Sequence, residues 1–279
     1  MTSQHRSWGG VYQCPLCQLP LAQQANQYSC AKGHSFDCAK EGYVNLLPVA
    51  KKRSKDPGDS REMIQGRRAF LDAGYYEKLS DRINELALTH APGAGQALDL
   101  GCGEGYYSHR LFRAMNAAAP MTLDGLDISR AAVRYGAKRY PDLAFCVASA
   151  YDMPFRDASF DLLLRVYAPS RDAELLRVMR PGACLITVQP GPMHHFAIKQ
   201  LIYAEPRLHS EDDSVAEGFE LIHAERLQWQ LMLDRSDMTE AFLAMTPYAW
   251  KLSQEQKAEL CRTGLGCELD FSIRVLRKR

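Results

Sequence analysis

Asp99-Leu-Gly-Cys-Gly-Glu-Gly105 is the stretch that decides how this chain is read. Apolar Ala97-Leu98 leads into it, and a helix-like run from Tyr106 to Ala119 follows. Strand, glycine turn, helix is the arrangement that brings backbone close to a nucleotide-type ligand. Glycine lacks a Cβ, so Gly101, Gly103 and Gly105 can take positive φ and leave room beside the main chain. The dinucleotide fingerprint is G-x-G-x-x-G. Here the third glycine comes one residue early, and an acid, Asp99, stands before the first. An ordinary strand-to-helix turn also uses glycine, so the loop needs support from elsewhere.

That support comes one strand later. Thr122-Leu-Asp-Gly-Leu-Asp127 reads as a second strand ending in an acid. In a doubly wound sheet, an acid roughly 20 residues past the glycine turn reaches the ribose hydroxyls of the ligand. A carboxylate accepts from both hydroxyls at once. Taken alone, Asp127 also suits a helix N-cap before Ile128-Ser-Arg-Ala-Ala-Val133. Glycine loop and acid together resemble the cofactor motifs of the S-adenosylmethionine (SAM) methyltransferases.

Further strands are expected at Leu143–Ala148, Phe160–Val166 and Ala183–Val188, with two more at Leu227–Leu233 and Cys267–Leu276. A helix is expected over Ala173–Met179, stopped by Pro181-Gly182. Strands alternating with helices predict an α/β fold with a doubly wound sheet. The 279 residues allow one large domain plus a small one, and 46% hydrophobic content is ample for a packed core. No apolar run approaches a membrane span and no leader opens the chain, so a cytoplasmic protein is expected. The nine cysteines then read as reduced thiols or metal ligands.

Charge is unevenly spread. Residues 1–70 hold ten Lys/Arg against five Asp/Glu, a net of +5 in a chain whose total is +1. A basic front end suits a polyanionic partner. The same region carries Cys14-Pro-Leu-Cys17 and Cys30-Ala-Lys-Gly-His34, spaced C-x2-C-x12-C-x3-H. Paired ligands on two tight turns are what tetrahedral zinc requires, and four protein ligands leave no open position, so the site reads as structural. Cys38 is a rival fourth ligand outside the pair spacing. Beyond it, Lys51, Lys52, Arg53 and Lys55 form a basic strip before the Asp56-Pro-Gly-Asp59 turn. The strip reads as phosphate-binding or as a solvated linker. Helices are expected over Ser60–Leu71, carrying Arg67 and Arg68, and over Tyr75–Leu88.

At this point the chain resembles the RlmA family, the large-subunit rRNA guanine-N1 methyltransferases. The stretches that carry the resemblance include the two zinc pairs, Ala39-Lys-Glu-Gly-Tyr-Val-Asn-Leu-Leu-Pro48, Ser54-Lys-Asp-Pro-Gly-Asp-Ser60 and Arg67-Arg-Ala-Phe-Leu-Asp-Ala-Gly74. To them are added Gly101-Cys-Gly-Glu-Gly-Tyr-Tyr107, Tyr167-Ala-Pro169, Pro190-Gly-Pro192 with His194, and Met245-Thr-Pro247. The resemblance implies a Rossmann-like class I SAM-dependent methyltransferase sheet with an N-terminal zinc-binding module. It further implies a homodimer acting on a 23S rRNA hairpin, SAM as methyl donor and one structural zinc. The boundaries expected are 1–46 for the zinc module, 47–92 for the basic connector and helices, and 93–279 for the methyltransferase domain.

Guanine N1 carries a proton, so something must accept it as the new bond forms. Where adenine amine methyltransferases hold an Asn/Asp-Pro-Pro-aromatic loop, this chain has Arg165-Val-Tyr-Ala-Pro169. Arg165 is a candidate to face the guanine carbonyl and Tyr167 to stack on or bond the base. The cofactor candidates are Asp99, Gly101, Gly103, Tyr107, Ser108, Asp127 and Ser149, with Tyr76 and His194 added by resemblance. Ser149 stands where many relatives carry an acid for the adenine amino group. His195 carries no assigned role. Two other readings remain: a methyltransferase for a small quinone- or lipid-type substrate, and a non-catalytic RNA-binding assembly protein. The zinc module and basic strip argue against the first, and the intact glycine loop and Asp127 against the second.

Overall fold

The computed structural model describes residues 10–51, 58–211 and 214–279. In the front module, β1 (Ala22–Gln24), β2 (Gln27–Ser29) and β3 (Ser35–Asp37) form a three-stranded antiparallel sheet. The next strand, β4 (Tyr43–Asn45), leaves that sheet. Helices α1 (Arg61–Asp72) and α2 (Glu77–His90) follow, then β5 (Gln96–Leu100), α3 (Tyr106–Ala118), β6 (Thr122–Asp127) and α4 (Arg130–Arg139). The chain continues through β7 (Ala144–Val147), β8 (Phe160–Val166), α5 (Asp172–Val178) and β9 (Met179–Pro190). It ends with α6 (Phe196–Ile202), β10 (Phe219–Leu233), α7 (Ser236–Met245), α8 (Gln254–Thr263) and β11 (Leu265–Lys278).

The large sheet has eight strands in the order β10-β11-β9-β8-β5-β6-β7-β4. β9 through β4 run parallel, and the β10–β11 hairpin is added antiparallel to β9. β5 lies between β8 and β6, so connections leave it in opposite directions and a crevice opens at its carboxyl end. The strands between Gln96 and Val166 lie where the apolar pattern puts them. β10 begins at Phe219, earlier than expected, because it pairs with β11 along its whole length. Its exposed alternate residues are largely polar, so periodicity revealed only its apolar end. The helices α6, α7 and α8 escaped the sequence reading; they are only 7, 10 and 10 residues long.

Side-chain alternation sorts the core into two faces. Leu162 and Leu164 of β8, Cys184, Ile186 and Val188 of β9, and Phe145 and Val147 of β7 pack with residues of α1, α2, α3, α4 and α7. Their neighbours Leu163, Leu185 and Cys146 join Leu98, Leu100 and Leu126 on the other face. That second face is covered by Leu175 and Val178 of α5 and by the front module itself, through Val11, Tyr12, Cys14, Leu21, Tyr28 and Cys30. Tyr12 stacks on Phe155 at 5.3 Å, and its hydroxyl donates to Asp124 at 2.9 Å. The front module therefore serves as a layer of the methyltransferase core, and β4 extends the large sheet beside β7.

Asp124 is fully buried at this junction, with Gln96 Nε2 as a second donor at 2.8 Å. Burial pushes its carboxyl up to about 7, against the opposing pull of the two donors. The folded protein thus keeps a proton that the unfolded chain gives up near about pH 4. This contribution to stability is complete below the unfolded value and is lost as pH rises through about 7. Asp124→Asn should flatten that dependence, so its melting temperature should change less than the wild type's between about pH 5 and about pH 8. Parallel curves from thermal unfolding at the two pH values would refute the titration.

Candidate cofactor cleft and zinc centre

Two turns bring the metal ligands together. Gln18 N–H closes on the Cys14 carbonyl at 2.8 Å, and Gly33 N–H on the Cys30 carbonyl at 2.9 Å. Gly33 has φ +81, a conformation that favours glycine. The donor atoms of Cys14, Cys17, Cys30 and His34 all lie within 4.8 Å of one another. Cys14 Sγ stands 3.4 Å and Cys30 Sγ 3.5 Å from His34 Nδ1, and Cys17 Sγ lies 3.7 Å from Cys30 Sγ. Zinc bonds of about 2.3 Å to sulfur and about 2.0 Å to nitrogen place tetrahedral ligand atoms roughly 3.5–3.8 Å apart. The cluster fits that spacing with Nδ1 as the histidine donor. Cys38 is outside it, on a bridge to Val44.

A cavity of about 570 Å³ occupies the crevice at the carboxyl ends of β5, β6 and β8, a size suited to a cofactor. Of the cofactor residues read from the sequence, Tyr76, Asp99, Gly101, Gly103, Tyr107, Asp127, Ser149 and His194 line it, and so does Tyr167. Gly101 has φ +67, and a Cβ there would come 2.6 Å from the Ala168 Cβ. The loop after β8 therefore packs directly on the glycine turn. Asp127 accepts from Gly103 N–H at 2.9 Å and Ser129 N–H at 2.7 Å, one on each oxygen. It thus holds the glycine loop and caps the approach to α4, while each oxygen keeps a further lone pair for a ligand hydroxyl. Burial raises the Asp127 pKa, opposed by these two amides.

Ser108 stands behind the lining, fully buried, and donates to Asp99 at 2.5 Å. Burial pushes Asp99 up to about 7, with Ser108 opposing and Asp127 adding to the rise. Ser108 thus positions Asp99 and has no place in the cavity wall. Ser149 Oγ accepts from Tyr151 N–H at 3.2 Å, a bond that does not use its proton.

Three expectations need correction. Arg165 does not reach the cleft. Alternation along β8 turns it to the face opposite Val166, where it donates to Thr187 Oγ1 at 3.1 Å and Ser170 Oγ at 2.9 Å and lines a separate cavity. Arg67, expected on RNA phosphate, lines the cofactor cleft and pairs with Asp59. Arg68 sits 5.3 Å from the Tyr135 ring and 3.9 Å from Glu104, so it has partners within the chain while 36% of its side chain stays exposed. Arg67 turns from α1 toward the cleft, whereas Arg68 does not line it. Lys52, Arg53 and Lys55 lie outside the described residues, as does the side chain of Lys51.

The sequence reading missed His195, His209 and Tyr248, which also line the cavity. His195 is buried beside His194, with ring centres 3.8 Å apart, and its Nε2 lies 3.3 Å from the Tyr76 hydroxyl. Burial holds its pKa well below the usual histidine value. The doublet after Pro190-Gly-Pro192 was the available signal, since two adjacent histidines on one turn can both face inward only if the backbone bends. It does so with φ +56 at His195.

The front of the chain, residues 12–55, matches the family model described as RlmA, N-terminal, a zinc ribbon, and residues 93–240 match a methyltransferase domain. A 23S rRNA (guanine(748)-N(1))-methyltransferase of Streptomyces fradiae is 33% identical over 256 residues, covering 88% of both chains. The chain belongs to the RlmA family. It is a SAM-dependent methyltransferase with a structural zinc, and its fold is the class I methyltransferase fold. A second relative, phthiotriol/phenolphthiotriol dimycocerosates methyltransferase 1 of Mycobacterium ulcerans (strain Agy99), is 34% identical over 129 residues. It covers 42% of this chain and 46% of its own. The RlmA likeness thus takes in zinc ribbon and sheet together, whereas this second likeness spans less than half the chain. Among the described residues, no helix is long and apolar enough to cross a membrane.

Proposed function

We propose that this RlmA-family protein transfers the methyl group of SAM to N1 of one guanine in a hairpin of 23S rRNA, acting as a cytoplasmic homodimer. The observation that carries this reading is the zinc ribbon built into the methyltransferase core as a layer against the sheet, together with the likeness to the Streptomyces fradiae enzyme over 88% of both chains. A small substrate needs no such layer. SAM supplies an electrophilic methyl on a sulfonium, so the protein chiefly has to align the nucleophile and exclude water. Gly101 and Gly103 give the cofactor access to backbone, Asp127 takes its ribose hydroxyls, and Tyr76 and Tyr107 wall the cleft. His194 and His195 stay neutral and add no positive charge to a site that must accommodate a sulfonium. Lys51, Lys52, Arg53 and Lys55 contact phosphate and so set affinity, while groups at the cleft mouth set the choice of base.

The test is mass mapping of modified nucleotides in large-subunit rRNA from cells with and without the protein. One 1-methylguanosine should disappear with the protein and return with the wild-type chain. An unchanged rRNA map, with labelled methyl recovered only in a small-molecule fraction, would overturn the proposal.

A further inference from the structure

Tyr167 directly follows β8 and has φ +55, a conformation rarely adopted by a residue with a side chain. The next residue packs on Gly101, so Tyr167 stands in the cavity wall beside the glycine loop. The residue is 43% exposed and lines the cleft. Its hydroxyl lies 3.3 Å from His194 Nε2.

The direction of that hydrogen bond can be derived. The backbone N–H of Asp270 donates to His194 Nδ1 at 3.1 Å, so Nδ1 carries no proton. Burial, with His209 next, pushes His194 down to about 3, so the ring is neutral. A neutral imidazole with a bare Nδ1 carries its proton on Nε2. His194 is therefore the donor and the Tyr167 oxygen the acceptor. Asp270 is itself fixed: Arg226 pairs with its carboxylate, Met193 N–H donates to Oδ2 at 2.8 Å, and Gly191 N–H donates to its carbonyl at 2.8 Å. The tautomer is thus set by backbone and cannot be reversed without opening the loop after β9.

We infer that Tyr167 is a specificity-determining residue, a one-way hydrogen-bond donor to the six-position carbonyl of guanine that has no welcome for the six-position amine of adenine. This rests on the guanine-N1 reading above. With N1 turned toward the methyl, the ring position beside it presents an acceptor in guanine and a donor in adenine. A phenol whose oxygen already accepts from His194 offers only its proton, which a tyrosine keeps at neutral pH. The contact expected from Arg165 falls instead to the residue two positions on, because β8 ends at Val166 and the positive φ at Tyr167 breaks the alternation that keeps Arg165 on the far face.

The experiment uses the full-length protein, SAM and an rRNA hairpin carrying either guanosine or 6-thioguanosine at the target. Sulfur at the six position is a much poorer acceptor than oxygen. Tyr167→Phe should lower kcat/KM on the guanosine RNA about ten- to a hundred-fold, the cost of one lost hydrogen bond to a polar base edge. On the thioguanosine RNA the same substitution should cost less than about threefold, because the wild type has already lost the bond. Equal losses on both RNAs would mean that Tyr167 only shapes the cleft, and no loss on guanosine would mean that it does not touch the carbonyl; either overturns the inference. If the wild type places no methyl on N1 of guanosine, the underlying reading of function fails, and that result is visible without any variant.

Discussion

Removing the zinc, by a chelator or by Cys14→Ala, should lower the melting temperature of the whole protein in a single transition. Were the zinc module a detached appendage, the methyltransferase core would melt unchanged. The structure joins the two: Cys14 and Cys30 belong to the same apolar cluster as Leu98, Leu126 and Phe160. Tyr12 also reaches Asp124 beneath the sheet, and Leu46 N–H donates to the Val147 carbonyl at 2.9 Å. Structural zinc contributes roughly 10–16 kcal/mol of apparent binding energy in isolated fingers. Losing even about 5 kcal/mol of it should shift the midpoint down by about 10–20 °C for a chain of this size. Elemental analysis should find about one zinc per chain before treatment. Metal release with an unchanged melting curve would show that the ribbon does not support the sheet.

Asp127→Ala should weaken SAM binding by at least ten- to a hundred-fold. Hydrogen bonds from ligand hydroxyls to a charged acceptor are worth about 1.5–3 kcal/mol. The structure adds a second loss, since the substitution also frees the amides of Gly103 and Ser129 from their shared anchor. Both effects act in one direction. Calorimetry that returned the wild-type affinity for this variant would refute the ribose assignment and the anchoring role together.

Much of this was legible along the chain. The run Asp99–Gly105 and the acid Asp127 located the cofactor crevice because period-2 apolar segments end there and glycines break the pattern. The Cys14, Cys17, Cys30, His34 set was legible because metal ligands must be paired at short spacing. Other parts had no local signal. Arg165, Arg67 and Arg68 look alike as sequence, yet each faces a different neighbourhood, fixed by strand alternation and by the packing of α1. His195 looked unremarkable until a left-handed turn put it beside His194, facing Tyr76.

Sequence alone determined the fold class, the metal ligands and the position of the cofactor loop, because these depend on residue types at fixed local spacing. Tertiary structure decided what the zinc ribbon is for, since only the three-dimensional packing shows it covering one face of the sheet alongside α5. It also decided the protonation of His194. That depends on a backbone amide at Asp270, 76 residues away in the chain, and a hydrogen bond between distant segments leaves no periodic trace in the residues that make it.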